Sequence, residues 1–335
     1  MAAPRLFAGW RLAAVGAVAC FIGAAGLAAA ALAPTFTIFL VAYGVLFAMA
    51  SGLGYSAGLQ MAVASGVSRP GLATGTIVAA FALGAVALGP IMGRISAEGQ
   101  LAFALMLPAA LLAGTGGLSI VVQWACPGMA SDFPRRQLVP TAHRHRIAPP
   151  NRWLVWLLWS GFASGAAAGL MVIGHAAGIV AETGGSVALT GIAVSMIATG
   201  NALGRLSSGA IADRLGPRAV LFTAALMLSL AVGIMTLAVN SAVSVVALAV
   251  AGLAYGVMAT GYPVAVHLFF GADRFGSVYG RVFTAWGIAG LIAPFAAGWM
   301  FDRTGSYHLA LVIATGSAAV SALIALGLSG HRTRA

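Results

Sequence analysis

Apolar residues run in long blocks along this chain, at about 12–33, 36–66, 71–92, 100–124, 153–179, 187–211, 219–239, 242–270, 278–300 and 307–329. Short polar gaps separate them. A helix needs roughly 20 apolar residues to cross bilayer hydrocarbon, and each block is about that long or longer. In lipid every backbone N–H and C=O must be satisfied within its own segment, so the blocks predict helices. One gap is long, 126–152, and it carries Pro127, Pro134, Pro149, Pro150 and several arginines. It reads as a linker between an N-terminal bundle of four spans over 1–125 and a six-helix bundle over 153–335.

Composition agrees. Hydrophobic residues make up 61% of the 335 and charged residues 7%, against about 25% charged in soluble domains. That leaves too little polar surface to cover a globule in water, which makes the chain an all-α, polytopic membrane protein. The 45 glycines are a packing signal, because small residues let membrane helices approach closely.

All 17 basic residues are arginines, set against 6 acidic ones. A pI near 11.2 could suggest a nucleic-acid partner, but position argues otherwise. Ten spans put both termini on one side. That side collects Arg5, Arg11, Arg69, the five arginines of 135–152, Arg214, Arg218, Arg274, Arg281, Arg332 and Arg334. The other side receives Arg94 and Arg303, and Arg205 falls inside a span. Fourteen against two predicts cytoplasmic termini and a cytoplasmic linker, as expected of an inner (plasma) membrane protein with no nucleic-acid partner. Cys20 and Cys126 have no metal-ligand spacing and read as free thiols. No metal or cofactor is expected.

Two gaps share a frame of glycine, three residues, Asp-Arg, one residue, glycine: Gly209 with Asp213, Arg214 and Gly216, and Gly298 with Asp302, Arg303 and Gly305. The first glycine lets helix ends approach and the second turns the chain. Asp213 is expected near the N-terminus of the next helix, with Arg214 and Arg218 at the headgroups, so that the loop latches a helix pair.

The frame at 209–218 resembles the signature loop of the major facilitator superfamily. Within it, Gly52-Leu-Gly-Tyr55, Arg69-Pro-Gly-Leu-Ala-Thr-Gly75, Gly169-Leu-Met-Val-Ile-Gly-His175 and Phe283-Thr-Ala-Trp-Gly287 resemble the oxalate:formate antiporters and their monocarboxylate-transporter-like relatives. The resemblance implies two bundles of six helices and a small-anion substrate carried by alternating access. Aligning the Gly209 loop sets the first span here at family helix three, which implies two further helices upstream of Met1. A truncated, non-transporting remnant and an efflux carrier of another solute are the alternatives. A membrane enzyme is disfavoured because no nucleophile–base spacing occurs.

Arg205 is the leading site residue. An arginine at a helix centre costs about 2.5–3.5 kcal/mol on insertion scales, so it needs a partner or a water-filled cavity. Every acidic residue, Glu98, Asp132, Glu182, Asp213, Asp273 and Asp302, falls in a predicted loop. A bound carboxylate, gripped bidentately by guanidinium, would supply the counter-charge. The bland alternative is a snorkelling arginine tied to carbonyls or to Asp213. Asn201 and Ser208 share its helix and extend a polar stripe. Family resemblance also matches Arg205 to the arginine of the antiporters, whereas Trp286 stands where dicarboxylate members carry lysine. One cation and one indole N–H suit a monocarboxylate. Tyr55 and Tyr262, each after glycine in spans two and eight, are further candidate substrate contacts, with plain packing the alternative. His175 and His267 lie near span ends and invite either proton coupling or simple interfacial hydrogen bonding. Gly84, Gly89-Pro90, Gly290 and Pro294 are candidate bending points. Oligomeric state is not legible.

Overall fold

A computed structural model describes residues 7–64, 70–125, 152–238 and 240–328. The linker, Arg69, Cys126 and both sets of terminal arginines outside these ranges, among the topology and linker readings, lie outside the described residues. Every described element is helical: α1 (Phe7–Ala31), α2 (Phe36–Val41), a π-helical segment (Ala42–Phe47), α3 (Ala48–Ala64), α4 (Pro70–Ala97), α5 (Leu101–Ala125), α6 (Arg152–Glu182), α7 (Val187–Leu215), α8 (Pro217–Thr236), α9 (Ser241–Phe270), α10 (Ala272–Thr304) and α11 (His308–Gly327). Ten of the resulting rods are long and apolar enough to cross a membrane, with α2, the π-helical segment and α3 forming one. The chain is thus an all-α polytopic bundle, as its hydropathy predicted.

Two compact units divide it. The first comprises 1–67 and 84–144, the second 68–83 and 145–335. The division differs from the sequence boundary in one place, since the first half of α4 groups with the C-terminal helices. The cause is local: Gly71 and Gly75 carry no side chain, so the α4 backbone lies directly on α7 at Gly209 and Arg205.

In the first unit, Leu27 and Ala30 of α1 pack with Ala42, and with Leu105 and Ala109 of α5. Gly26 makes room for the π-helical turn, where a methyl group would sit 2.8 Å from the Phe47 nitrogen.

The second unit is held by small residues at helix crossings. Gly200 and Gly204 of α7 face the backbone of α9 at Ala249 and Leu253, while Gly252 and Gly256 of α9 face Ile197 and Asn201. These two reciprocal pairs, each spaced by four, let the backbones touch, which is how helices gain van der Waals contact where no hydrophobic force acts. On α6 the spacing recurs. Gly161, Gly165 and Gly169 accept Tyr262, Met258 and Tyr255 of α9. Large side chains on one helix thus fill a glycine groove on the other.

Both motif loops turn on their second glycine. Gly216 has φ 79° and Gly305 φ 69°, left-handed conformations that a Cβ would strain. Pro217 follows Gly216 as the first residue of α8, a position where proline's missing N–H costs nothing.

Candidate functional site

Helix α7 continues to Leu215, four residues past the end expected from hydropathy. Arg205 therefore lies ten residues (215 − 205) from that end, about 15 Å along the axis at 1.5 Å per residue. Its placement follows from two glycine contacts. Gly256 brings α9 against the backbone at Asn201 and Arg205, and Gly75 brings α4 so close to α7 that a methyl group there would sit 3.2 Å from the Arg205 carbonyl oxygen.

The half-buried guanidinium has neutral partners. Its Nε donates to Asn201 Oδ1 at 2.8 Å and one Nη donates to the Val78 carbonyl at 3.2 Å. Asn201, one turn earlier, was expected on the same polar face and orients the fork. The expected third member is elsewhere: fully buried Ser208 donates to the Val257 carbonyl at 2.8 Å. Its hydroxyl serves the α7–α9 crossing, so the stripe is a pair. Among the described residues, two of the five guanidinium N–H groups have protein acceptors and none of these acceptors is charged.

Trp286 of α10 donates its indole N–H to the Tyr255 hydroxyl at 2.6 Å. That N–H is therefore committed within the protein. Trp286 also ends an aromatic ladder on α10, stacking on Phe283 at 5.2 Å, with Tyr279 at 5.4 Å beyond and Phe275 next. Tyr255 was not singled out from sequence, although its spacing of seven from Tyr262 marks one helix face. Tyr262 is 2% exposed, stacks on Phe162 at 4.3 Å and abuts Gly161. Tyr55 is half-buried on α3, in the other unit.

Asp213 departs from expectation. Its carboxylate accepts from the backbone N–H groups of Gly71 at 3.0 Å and Leu72 at 3.2 Å. The helix start it caps is that of α4, rather than of α8, which follows it in sequence. Free N–H groups and the positive end of the dipole at a helix N-terminus favour a carboxylate there. Gly209 completes the contact because its missing side chain leaves room for the Gly71 carbonyl. Arg214 and Arg218 are exposed around the same turn.

At the opposite end of the second unit, His175 of α6 lies 2.9 Å (Nε2) from the Pro294 carbonyl and 3.2 Å (Nδ1) from the Tyr307 hydroxyl. Glu182 accepts from the Ser306 hydroxyl at 2.5 Å and the Tyr307 N–H at 2.8 Å, closing the start of α11. Burial, then the charges of Glu182 and Asp302, holds the Tyr307 phenol above its ordinary pKa. Glu182 was read only as a loop acid. Among the described residues, no three His, Cys, Asp or Glu side chains come together as a metal site.

A family profile described as Major Facilitator Superfamily matches residues 157–334, more than half of the chain. Among solved structures, the major facilitator transporter FucP in its outward conformation superposes with a TM-score of 0.69 at 18% identity, over 95% of this chain and 83% of that one. The proton:xylose symporter XylE gives 0.67 at 12% identity, over 97% and 82%. The human organic anion transporter MFSD10 gives 0.64 at 19%, over 96% and 81%. A protein of Thermoproteus tenax described as an uncharacterized 38 kDa protein in a 23S RNA operon is 25% identical over 312 residues, 93% of this chain and 77% of that one.

Proposed function

The chain belongs to the Major Facilitator Superfamily, and from that premise we propose that it is a secondary carrier moving a small organic anion of the monocarboxylate type by alternating access. The observation that carries this reading is Arg205, a guanidinium deep in a spanning helix whose protein partners are an amide oxygen and a backbone carbonyl. Both acceptors are neutral, so the cost of placing the charge in the membrane is only partly offset. A substrate carboxylate supplies the missing charge, and the remaining edge of the fork suits its two oxygens. Similar folds are described as sugar symporters and as an organic anion transporter. At this identity they bear on fold alone, and the choice of an anion rests on Arg205.

A single cation sets the number of carboxylates. Trp286 occupies the position where the dicarboxylate antiporters resembled here carry lysine, and its N–H is held by Tyr255. The second contact is a neutral aromatic pair, suited to a short apolar tail. Asp213 is the latch: by capping α4 it stabilises one arrangement of the helix ends, and its release accompanies the change of access. The arginine distribution puts the latch and both termini in the cytoplasm.

The contrast of charge with shape tests the reading. Acetate, lactate and benzoate are titrated into purified protein beside the isosteric amides acetamide, lactamide and benzamide. At least one carboxylate should bind tenfold more tightly than its amide. Equal binding of every pair would refute the anion assignment.

A further inference from the structure

The proposed site and the Asp213 latch leave unused one flank of α8 and α9. There the two helices enclose an open groove of about 460 Å³, within the range of small-molecule pockets. Leu230 and Ile234 of α8 form one wall, Val246 and Val250 of α9 the other, and Ala231 and Ala247 the floor. The walls stand out from the floor: Leu230 is 59% and Val246 65% exposed, while Ala231 is 2% and Ala247 4% exposed. Every lining residue is apolar. Both helices are long and apolar enough to cross a membrane. The groove runs from Met227, near the middle of α8, to Ile234 and Ala242 beside the α8–α9 turn, at the end of α8 opposite Asp213.

Chemistry and width decide what fills it. Water in such a space needs about two to four polar partners, and the lining side chains offer none. A helix is too thick. From Ala242 to Val250 is about 12 Å at 1.5 Å per residue, so 460 Å³ leaves a cross-section of about 40 Å². A helix with its side chains, about 10–12 Å across, needs about 80–110 Å². Left empty, the groove would forfeit dispersion contacts along its whole lining. A hydrocarbon chain is thin enough, buries no polar group, and is the medium in which both helices stand.

We propose that this groove is a lipid-binding site, occupied by an acyl chain of a phospholipid from the leaflet opposite Asp213. The chain lies along the alanine floor between the two walls, with its headgroup beyond Ala242 at the level of the turn. Lipid tails are as apolar as leucine, so no hydrophobic force selects this place, and affinity comes from the van der Waals contact of a chain with three sides of a fitted channel. Residues 234–246 hold no charged side chain. The site therefore selects the chain and not the headgroup. A seated chain completes the packing of α8 on α9, the helix whose Gly256 lies on the Arg205 backbone.

A photoactivatable phospholipid tests this. The full chain is reconstituted in palmitoyl-oleoyl phosphatidylcholine vesicles containing a small fraction of an analogue with a diazirine in one acyl chain, and after illumination the adducts are mapped by mass spectrometry. The reference face is on α11, where Ile313, Val320 and Leu323 are as exposed as the groove walls. Adduct density per exposed residue over 227–234 and 242–250 should exceed that on α11 at least threefold. Leu230→Ala with Val246→Ala lowers both walls and should bring the ratio near one. Ala242→Phe, at the exposed mouth, should lower it at least twofold by obstructing entry. The replaced residues are exposed, so the melting temperature should stay at the parental value in both variants. Vesicles of phosphatidylglycerol should leave the ratio within twofold, and a larger change would assign the site to the headgroup and overturn the proposal. So would a parental ratio under threefold, a ratio that survives removal of the walls, or walls free of adducts because a second copy covers them. Neither Arg205 nor any transported carboxylate enters the assay, so its outcome is independent of the anion proposal.

Discussion

Asp213→Asn isolates the charge of the latch, because asparagine keeps one acceptor oxygen in nearly the same place. The carboxylate now serves two backbone donors, Gly71 and Leu72. The amide would serve one and present its NH2 group to the other. A lost helix cap costs about 0.5–2 kcal/mol, and a negative charge at a helix start is worth about 0.3–1 kcal/mol when exposed. Asp213 is exposed, so the larger values for buried charged hydrogen bonds do not apply. The expected loss is about 1–2 kcal/mol, a factor of roughly 5–30 in the equilibrium between capped and uncapped α4. Amide hydrogen exchange reads it directly. Exchange over residues 71–74 should accelerate by that factor in Asp213→Asn, while peptides from α11 stay unchanged. Acetate or lactate binding should remain within about threefold of the parent and transport should slow. Unchanged exchange at 71–74 in a folded variant would refute the capping argument, and complete loss of binding would move Asp213 from the latch to the substrate site.

Three other outcomes follow from the same geometry. Gly256→Ala sets a methyl group onto the Asn201 carbonyl with backbone on both sides, so it should destabilise the protein by about 1–3 kcal/mol and lower the melting temperature. Gly280→Ala, with open space around it, should leave the melting temperature nearly unchanged and is the control. Trp286→Lys removes the indole donor to Tyr255 and the stacking on Phe283; competition assays should show preference moving from acetate toward oxalate. Reporter fusions after Arg146 and Arg334 should both score cytoplasmic, and an outside signal at either would refute the positive-inside orientation.

Helix number and fold were legible because span length is imposed by the bilayer and is written in runs of apolar residues. The two motif turns were legible for a similar reason: Gly216 and Gly305 serve a backbone conformation that belongs to the loop itself. The destination of the Asp213 carboxylate was not, because an N-terminus is a generic acceptor of negative charge and α4 lies 142 residues away from it. The glycines of α4 at 71 and 75 carried the signal, since their spacing marks a face made for a neighbouring backbone. Asn201 was readable as the companion of Arg205 because both lie on one helix, four apart. Tyr255 was missed because only the tertiary crossing of α9 and α10 brings it to Trp286. Glu182 was taken as a loop charge, yet it receives the N–H of Tyr307, 125 residues on.

The central claim is that Arg205 holds the substrate's carboxylate rather than merely tying α7 to Val78. The bond to the Val78 carbonyl makes a structural tie the specific competitor. Binding of the best carboxylate from the acid–amide series should therefore be measured by calorimetry in parent, Arg205→Ala and Arg205→Lys, with melting temperature recorded for each. The account predicts no measurable binding in Arg205→Ala with the fold intact. It predicts partial recovery in Arg205→Lys, which restores charge without the planar fork. Parental affinity in a folded Arg205→Ala would contradict it and leave Arg205 as a strut between α7 and α4.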